Sequence, residues 1–182
     1  MGARIEALTV DEARAAAPAL VALLRDVVDA GASVGFVPPL GASTAAAYWA
    51  TVVAAIADGS RVLLVARRAE DGAIVGSAQL DLSTRENGRH RAEVAKVMVL
   101  TAAQRQGIGR ALMLAAEEQA RRLGRTTLVL DTRSGDPSER LYASVGWQRG
   151  GEIPRYAQSA GGKLDASTFY YKLLLTPEGE TL

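Results

Sequence analysis

Apolar and polar positions along this chain of 182 residues fall into helical and strand rhythms that change at Gly and Pro. Thr9-Val10-Asp11-Glu12 has the form of a capping box and opens an Ala/Leu/Val-rich stretch to residue 30. Pro18 interrupts that stretch, so the pattern predicts one broken helix or two short ones. Residues 31–41, Gly-Ala-Ser-Val-Gly-Phe-Val-Pro-Pro-Leu-Gly, are too rich in Gly and Pro for regular structure and read as a loop carrying apolar side chains. A second helix is predicted from Ser43 or Thr44 to about Ala57, closed by Asp58-Gly59. Residues 61–67 are rich in β-formers and Glu70-Asp71-Gly72 signals a hairpin. Ile74, Gly76, Ala78, Leu80 and Leu82 then alternate with more polar neighbours, which predicts an antiparallel pair. The Asn87-Gly88 turn leads into a third strand through His90 to Val99.

The helical rhythm returns at Ile108, with Leu112, Ala115, Ala116 and Leu123 on one face and Gly124 as its stop. Glu117/Arg121 and Glu118/Arg122 stand four apart and read as ion pairs on its wet side. Leu128-Val129-Leu130 is a short, continuously apolar strand of the kind buried on both faces, and Asp131 follows at its end. Strand, helix and strand in this order predict a parallel pair joined by a right-handed crossover. Asp136-Pro137-Ser138-Glu139 supplies a cap, Pro at the first position and an acid in the first turn of a short helix ending near Gly146. Two more β-rich segments follow, residues 147–153 and 169–175. Residues 154–167 between them read as a long loop holding Gly161-Gly162, and the tail after Thr176 reads as frayed.

Composition narrows the chemistry. Hydrophobic residues make up 48% and charged residues 23%, a globular balance, and the length suits a single domain over residues 1–182. No apolar run is long enough for a membrane span and no export signal is visible, so the expectation is a cytoplasmic protein without a membrane partner. With no Cys, disulfides, thiolate metal sites and a Cys nucleophile are excluded, and a single His argues against a His-based triad or metal cluster; no metal is expected. A net charge of +1 without a basic stripe argues against nucleic acid as partner. Any selectivity for anions must therefore be local.

The local candidate is Gln104-Arg105-Gln106-Gly107-Ile108-Gly109, between strand and helix. Its glycines allow a tight turn, the first-turn N–H groups of the helix are free, and the helix dipole with Arg105 and Arg110 adds positive charge: a cradle for phosphate. It is not a P-loop, since no Lys-Ser or Lys-Thr pair exists, nor a dinucleotide fingerprint, since Leu112 stands where a third Gly is needed. What remains is Gln-x-x-Gly-x-Gly, followed one helix and one strand later by Leu141-Tyr142-Ala143-Ser144-Val145-Gly146-Trp147. With these two motifs in this order the chain resembles the GNAT superfamily of N-acetyltransferases over roughly residues 60 to 175. Within it the chain is most similar to acetyltransferases of the tabtoxin-resistance type, through His90-Arg91-Ala92-Glu93-Val94-Ala95-Lys96, Leu130-Asp131-Thr132 and the Gly-Phe-Val-Pro-Pro-Leu loop at 35–40.

The resemblance implies a mixed, mostly antiparallel α/β sheet of six to seven strands, splayed between the fourth and fifth and flanked by about four helices. It implies a bacterial acyltransferase acting in antibiotic or toxin resistance. Acetyl-CoA would be its co-substrate and the amine of a small amino-acid-like metabolite or toxin, or else a hydroxyl, its acceptor; monomer and homodimer both remain open. Splaying at a bulge near Val97 and Met98 would free backbone groups for the pantetheine arm, and a strand N–H near Val99 would meet the thioester carbonyl. Gln104, Arg105, Gln106, Gly107, Ile108, Gly109 and Arg110 would seat the pyrophosphate, with Ser138 and Tyr142 on the other wall. Tyr142 is the candidate acid toward the sulfur, and Glu93 and Asp131 are the candidates for base and ammonium anchor, directly or through water. Phe36 and Tyr156, with Pro38, Pro39, Tyr48 and Trp49, are candidate pocket walls, although Tyr48 and Trp49 also fit helix packing in the core. His90, flanked by Arg89 and Arg91, ranks below Glu93 as base, and Arg85, Arg89 and Arg91 could hold an acidic acceptor or simply form a solvated hairpin. Many members of the superfamily carry Asn seven residues before the Tyr; here it is Gly135, which puts cofactor affinity in question. The alternative reading is a catalytically silent acyl-CoA-binding regulatory module.

Overall fold

The computed structural model describes residues 2–174. In chain order these form β1 (Ala3–Ala7), α1 (Val10–Asp29), α2 (Ala42–Ala57), β2 (Arg61–Arg68), β3 (Ile74–Leu82) and β4 (Arg91–Val99). They continue with α3 (Ile108–Arg122), β5 (Thr127–Arg133), α4 (Ser138–Ser144), β6 (Gln148–Gln158) and β7 (Leu164–Leu173). One seven-stranded sheet runs β1-β2-β3-β4-β5-β7-β6; every neighbouring pair is antiparallel except β4 and β5. This is the expected mixed α/β sheet with four helices. No helix among the described residues is long and apolar enough to cross a membrane.

The sheet separates two cores. Leu64, Leu80, Val94, Leu128 and Leu130 pack with Leu112, Met113 and Ala116 of α3, while Leu63, Val65 and Met98 pack under α1 and α2 with Leu20, Leu24 and Trp49. Alternate residues of β2 thus feed opposite cores, as the period of two requires. Gly76 lets α3 approach: a Cβ there would lie 2.8 Å from the Met98 carbonyl oxygen and 3.2 Å from Leu112 Cδ1.

Three expectations need correction. Pro18 does not divide α1, which is continuous and has its Thr9/Glu12 capping box intact. Burial of Ala13, Ala16, Leu20, Leu23, Leu24, Val27 and Val28 outweighs the one hydrogen bond that Pro18 forfeits. Residues 154–167 are not a long loop, because β6 and β7 extend through them and turn at 159–163, where Ser159 N–H donates to Lys163 O at 2.8 Å. A register shift between Ile153 and Ala157 absorbs Pro154 and Arg155, and β6 is exposed along nearly all its length, so no alternation betrays it. Glu117 is not on the wet side of α3: at 2% exposure it faces inward, accepting from Trp147 Nε1 at 3.0 Å and Lys172 Nζ at 2.7 Å. Both i,i+4 pairs form, Glu118/Arg122 at 3.1 Å and Glu117/Arg121 at 4.0 Å. β1 is an edge strand absent from the sequence reading, held to β2 partly by Glu6 and Arg67. The tail after Thr176 and the end of the predicted 169–175 strand lie outside the described residues.

β4 and β5 pair only over Arg91–Glu93 and Thr127–Val129, so residues 94–99 of β4 have no strand partner on that side. On the other side, Ser77 pairs with Met98 and Gln79 with Ala95, leaving Lys96 and Val97 to oppose Ala78 alone. This is the expected bulge, one residue earlier, and Lys96 takes a positive φ of 51° within it.

Candidate active site

The turn before α3 is built from 3-10 residues Thr101–Ala103, tied to α1 by Thr101 N–H and Oγ donating to Asp26 at 2.8 and 2.9 Å. Gln104 Nε2 donates to the Val99 carbonyl at 3.3 Å. Arg105 (φ 63°) and Gly107 (φ 81°) then bend the chain in the left-handed region, which Gly107 enters without steric cost. Gly107 is the N-cap of α3 and offers no side chain to it, so the first-turn N–H groups have no cap. A cavity of about 700 Å³ opens there, between the splayed part of β4, the N-terminus of α3 and α4.

Of the residues expected to hold a nucleotide cofactor, Val97, Val99, Gln104, Arg105, Gly107, Ile108, Gly109, Arg110, Ser138 and Tyr142 line this cavity. Met98 does not: the bulge turns it into the α1/α2 core at 2% exposure. Gln106 lines a separate cavity of about 110 Å³ beside Gly2 and Ala3. Arg110 is partly committed, donating to the Ser144 carbonyl at 3.1 Å and so joining α3 to α4. Sequence reasoning missed two further cations on the wall, Arg133 and Arg140. Arg133 pairs with Asp136 at 3.3 Å, whereas Arg105 and Arg140 form no ion pair among the described residues. Uncapped amides facing an open groove with two uncommitted guanidinium groups suit a pyrophosphate. Gly135 lines neither this cavity nor the next one, and its N–H is held by Glu139 at 2.8 Å.

A second cavity of about 270 Å³ meets the first at Ala32, Val97, Asp136, Ser138 and Tyr142. Glu93, Lys96, Asp131 and Tyr156 line it, so the structure brings three of the predicted acceptor-side residues together. They share a face for a geometric reason. Glu93 pairs in register with Val129 of β5, Asp131 lies two residues beyond Val129, and Leu128 and Leu130 take the opposite face into the α3 core. Asp131 Oδ2 accepts from Ser167 Oγ at 3.0 Å. Glu93 forms no ion pair among the described residues, so neither Arg91 nor Lys96 neutralises it by contact. Burial, then the negative charges of Asp131 and Asp81, push its carboxyl above the usual range, against the pull of Lys96 and Arg61. Tyr142 is 7% exposed and its phenol is pushed up to about 12, chiefly by burial, with Ser138 beside it acting in the opposite sense. Ser138 Oγ is itself 2.9 Å from Thr132 Oγ1.

The remaining candidates divide. Tyr156 is braced edge-on against Phe169, ring centroids 5.2 Å apart. Phe36 and Pro39 line a third cavity of about 500 Å³, which adjoins the second at Ser33, Gly35 and Ala157. Trp49, 1% exposed, belongs to the core, and Tyr48 donates its hydroxyl to Gln79 at 3.1 Å beneath the site. Pro38, His90 and Arg85, Arg89 and Arg91 line none of the three cavities. Lys96 was overlooked as a site residue; a lysine inside the apolar run of residues 94–99 was the available signal. Among the described residues there is no group of three or more His, Cys, Asp or Glu side chains that could hold a metal ion.

Residues 34–147 match the model of the acetyltransferase (GNAT) family. An N-acetyltransferase from the hisH–hisA intergenic region of Azospirillum brasilense is 37% identical over 127 residues, 66% of this chain and 73% of that protein. The ribosomal-protein-alanine N-acetyltransferase of Brucella melitensis superposes with a TM-score of 0.77 at 26% identity, covering 94% of this chain and 99% of its own. Two more distant structures share the fold. These are yncA from Salmonella typhimurium with its cofactor acetyl-CoA (TM-score 0.78, 22% identity, 97% and 96% covered) and a phosphinothricin acetyltransferase from Sinorhizobium meliloti in complex with acetyl-CoA (0.77, 20%, 96% and 89%). The chain belongs to the GNAT family of acetyltransferases, whose co-substrate is acetyl-CoA.

Proposed function

We propose that this acetyltransferase, working as one domain over residues 1–182, carries the acetyl group to the amine of a small amino-acid-like metabolite or toxin. The observation that carries the reading is the junction of two cavities at Ser138 and Tyr142, with Glu93 and Asp131 lining only the smaller one. The larger suits a long phosphorylated arm and the smaller a compact acceptor. The resemblance to tabtoxin-resistance acetyltransferases supports the same assignment, since two of its segments carry Glu93 and Asp131.

Bound acetyl-CoA supplies an acyl group already activated as a thioester. The chain's own residues handle charge and protons. Arg105, Arg140 and the first-turn amides of α3 bind the pyrophosphate. Glu93 and Asp131 draw in a cationic acceptor and remove its proton, because an ammonium has no lone pair with which to attack. The elevated pKa of Glu93 makes it the better base, while Asp131, fixed by Ser167, is the better anchor. Tyr142 remains protonated across the working pH range and presents a donor toward the departing sulfur.

The test is an acceptor panel of amino acids, polyamines, aminoglycosides and β-lactam amino acids, assayed with acetyl-CoA by release of free thiol. At least one amine should turn over, and Glu93→Gln and Asp131→Asn should each lower kcat/KM for it by about 10²-fold or more. Full activity in both variants would remove the assignment of these carboxylates. Tight CoA binding without turnover of any amine would favour the silent acyl-CoA-binding module instead.

A further inference from the structure

Lys96 stands in the acceptor cavity without a role in the scheme above. The bulge forces it to a positive φ, which is uncommon for a side chain of this size, and aims it to the α2 side of the sheet. There its ammonium lies 5.6 Å from the centroid of the Tyr48 ring. On another side runs the loop after α1, where a Cβ on Gly35 would lie 3.5 Å from Nζ. The Tyr48 ring is itself fixed, by its hydroxyl bond to Gln79 at 3.1 Å and by the edge of Phe36 at 5.3 Å. Among the described residues the ammonium makes no hydrogen bond and no ion pair. Three strong donors thus open into a cavity that Glu93 and Asp131 also line. The nearby carboxylates do not satisfy it: Asp131 accepts from Ser167, Asp81 is ion-paired with Arg61, and Glu93 lies beyond ion-pair reach. A cation and two carboxylates on one cavity wall match an acceptor that carries both charges.

We propose that Lys96 is the specificity-determining residue that reads an anionic group on the acceptor, so that the preferred substrate is a zwitterion, its amine at Glu93 and Asp131 and its carboxylate at Lys96. This rests on the reading of Glu93 and Asp131 as the amine-binding pair. Charge-assisted hydrogen bonds of this kind are short, and losing one leaves the partner charge unpaired in a confined site. Lys96 makes no covalent change and need only hold the acceptor still while its amine is deprotonated.

The experiment compares free amino acids, their carboxamides and the corresponding decarboxylated amines as acceptors at saturating acetyl-CoA, with wild type, Lys96→Met and Lys96→Arg. Wild type should favour acids over amides by about 10-fold or more in kcat/KM. Compared at a pH above the acid limb of each protein, so that the loss of the Lys96 charge near Glu93 does not enter, Lys96→Met should abolish that preference by raising KM for the acids, with kcat/KM for the amides and KM for acetyl-CoA within about twofold of wild type. Lys96→Arg should restore part of the preference. Equal kcat/KM for acids and amides in wild type overturns the role of Lys96 and leaves the amine reading standing. So does an unchanged acid-to-amide ratio in Lys96→Met, or a uniform loss on both. No turnover of any compound by wild type that binds acetyl-CoA overturns the amine reading, and the role of Lys96 with it.

Discussion

Asp81 on β3 and Glu93 on β4 stand directly opposite each other in register, two carboxylates paired across an antiparallel ladder. Like charges so placed repel, and Arg61, ion-paired with Asp81, offsets only part of the effect. With burial and Asp131 added, Glu93 keeps its proton at pH values where an ordinary carboxylate, near 4.5, has lost it. A base must be ionised to act, so the acid limb of kcat/KM should lie above 4.5. Asp81→Asn removes a negative neighbour and frees Arg61, and both changes favour ionised Glu93; the limb should move to lower pH. A pH profile of kcat/KM on both proteins measures this, and a limb that stays in place or rises would separate Glu93 from the rate.

Tyr142 carries the opposite requirement, since a donor must hold its proton. Its pKa of about 12 means that no alkaline loss of activity below about pH 11 originates there. Tyr142→Phe keeps the ring among Trp147 and Tyr170 but deletes the hydroxyl. It should lower kcat by about 10²-fold with little change in KM for acetyl-CoA. Steady-state kinetics decide the matter, and an unchanged kcat would leave Tyr142 as a packing residue.

Much of this arrangement was readable in the sequence, for reasons that also explain what was not. The α3 turn was legible because Gly107 and Gly109 punctuate a sharp change from strand to helical rhythm. Asp131 was legible because it breaks off the apolar run Leu128-Val129-Leu130, although β5 itself continues to Arg133. Lys96 was not, because period-two reading puts it on the face of Val94, whereas the bulge reverses the count: Val94 enters the α3 core and Met98 the opposite one. β1 and the part of β6 beyond Ile153 belong to edge strands with little apolar alternation, so nothing periodic marked them, whereas the β-rich segments at 147–153 and 169–175 were legible. Arg140 escaped notice because on a seven-residue helix a surface cation and a groove cation look alike.

Glu117 shows how a spacing rule misleads when burial is hidden. Its carboxylate joins α3 to Trp147 and Lys172, and Lys172 Nζ also donates to the Val145 carbonyl, so one buried charge fastens α3 to the end of α4 and to β7. Glu117→Gln keeps the shape but leaves the Lys172 ammonium, 19% exposed, without its counter-charge. The expected cost is about 3 kcal/mol of unfolding free energy. Urea denaturation followed by tryptophan fluorescence would show a lower midpoint at unchanged slope. An unaltered midpoint would mean that the cluster contributes packing alone.

Lys96 should have a cost in stability that mirrors its use in recognition. Burial lowers its pKa, and the attraction of Glu93, Asp131 and Asp81 does not fully offset burial and the repulsion of Arg61. Between that lowered value and the ordinary 10.5, the unfolded chain binds the proton that the native protein does not. Stability attributable to Lys96 therefore rises as pH climbs through this window and is lost as pH falls through it. At neutral pH the charged side chain is a net burden that Lys96→Met removes. The variant should melt higher than wild type at pH 7. The gap should narrow as pH rises from that lowered value toward 10.5, where the unfolded chain has begun to lose the proton as well. A thermal melt series from pH 7 to 10.5 tests the sign, and a variant less stable at pH 7 would mean that the ammonium is already satisfied in the protein. Occupancy of the cavity by a carboxylate-bearing acceptor should then raise the melting temperature of wild type more than that of Lys96→Met, because only wild type has an unmet charge for the ligand to neutralise.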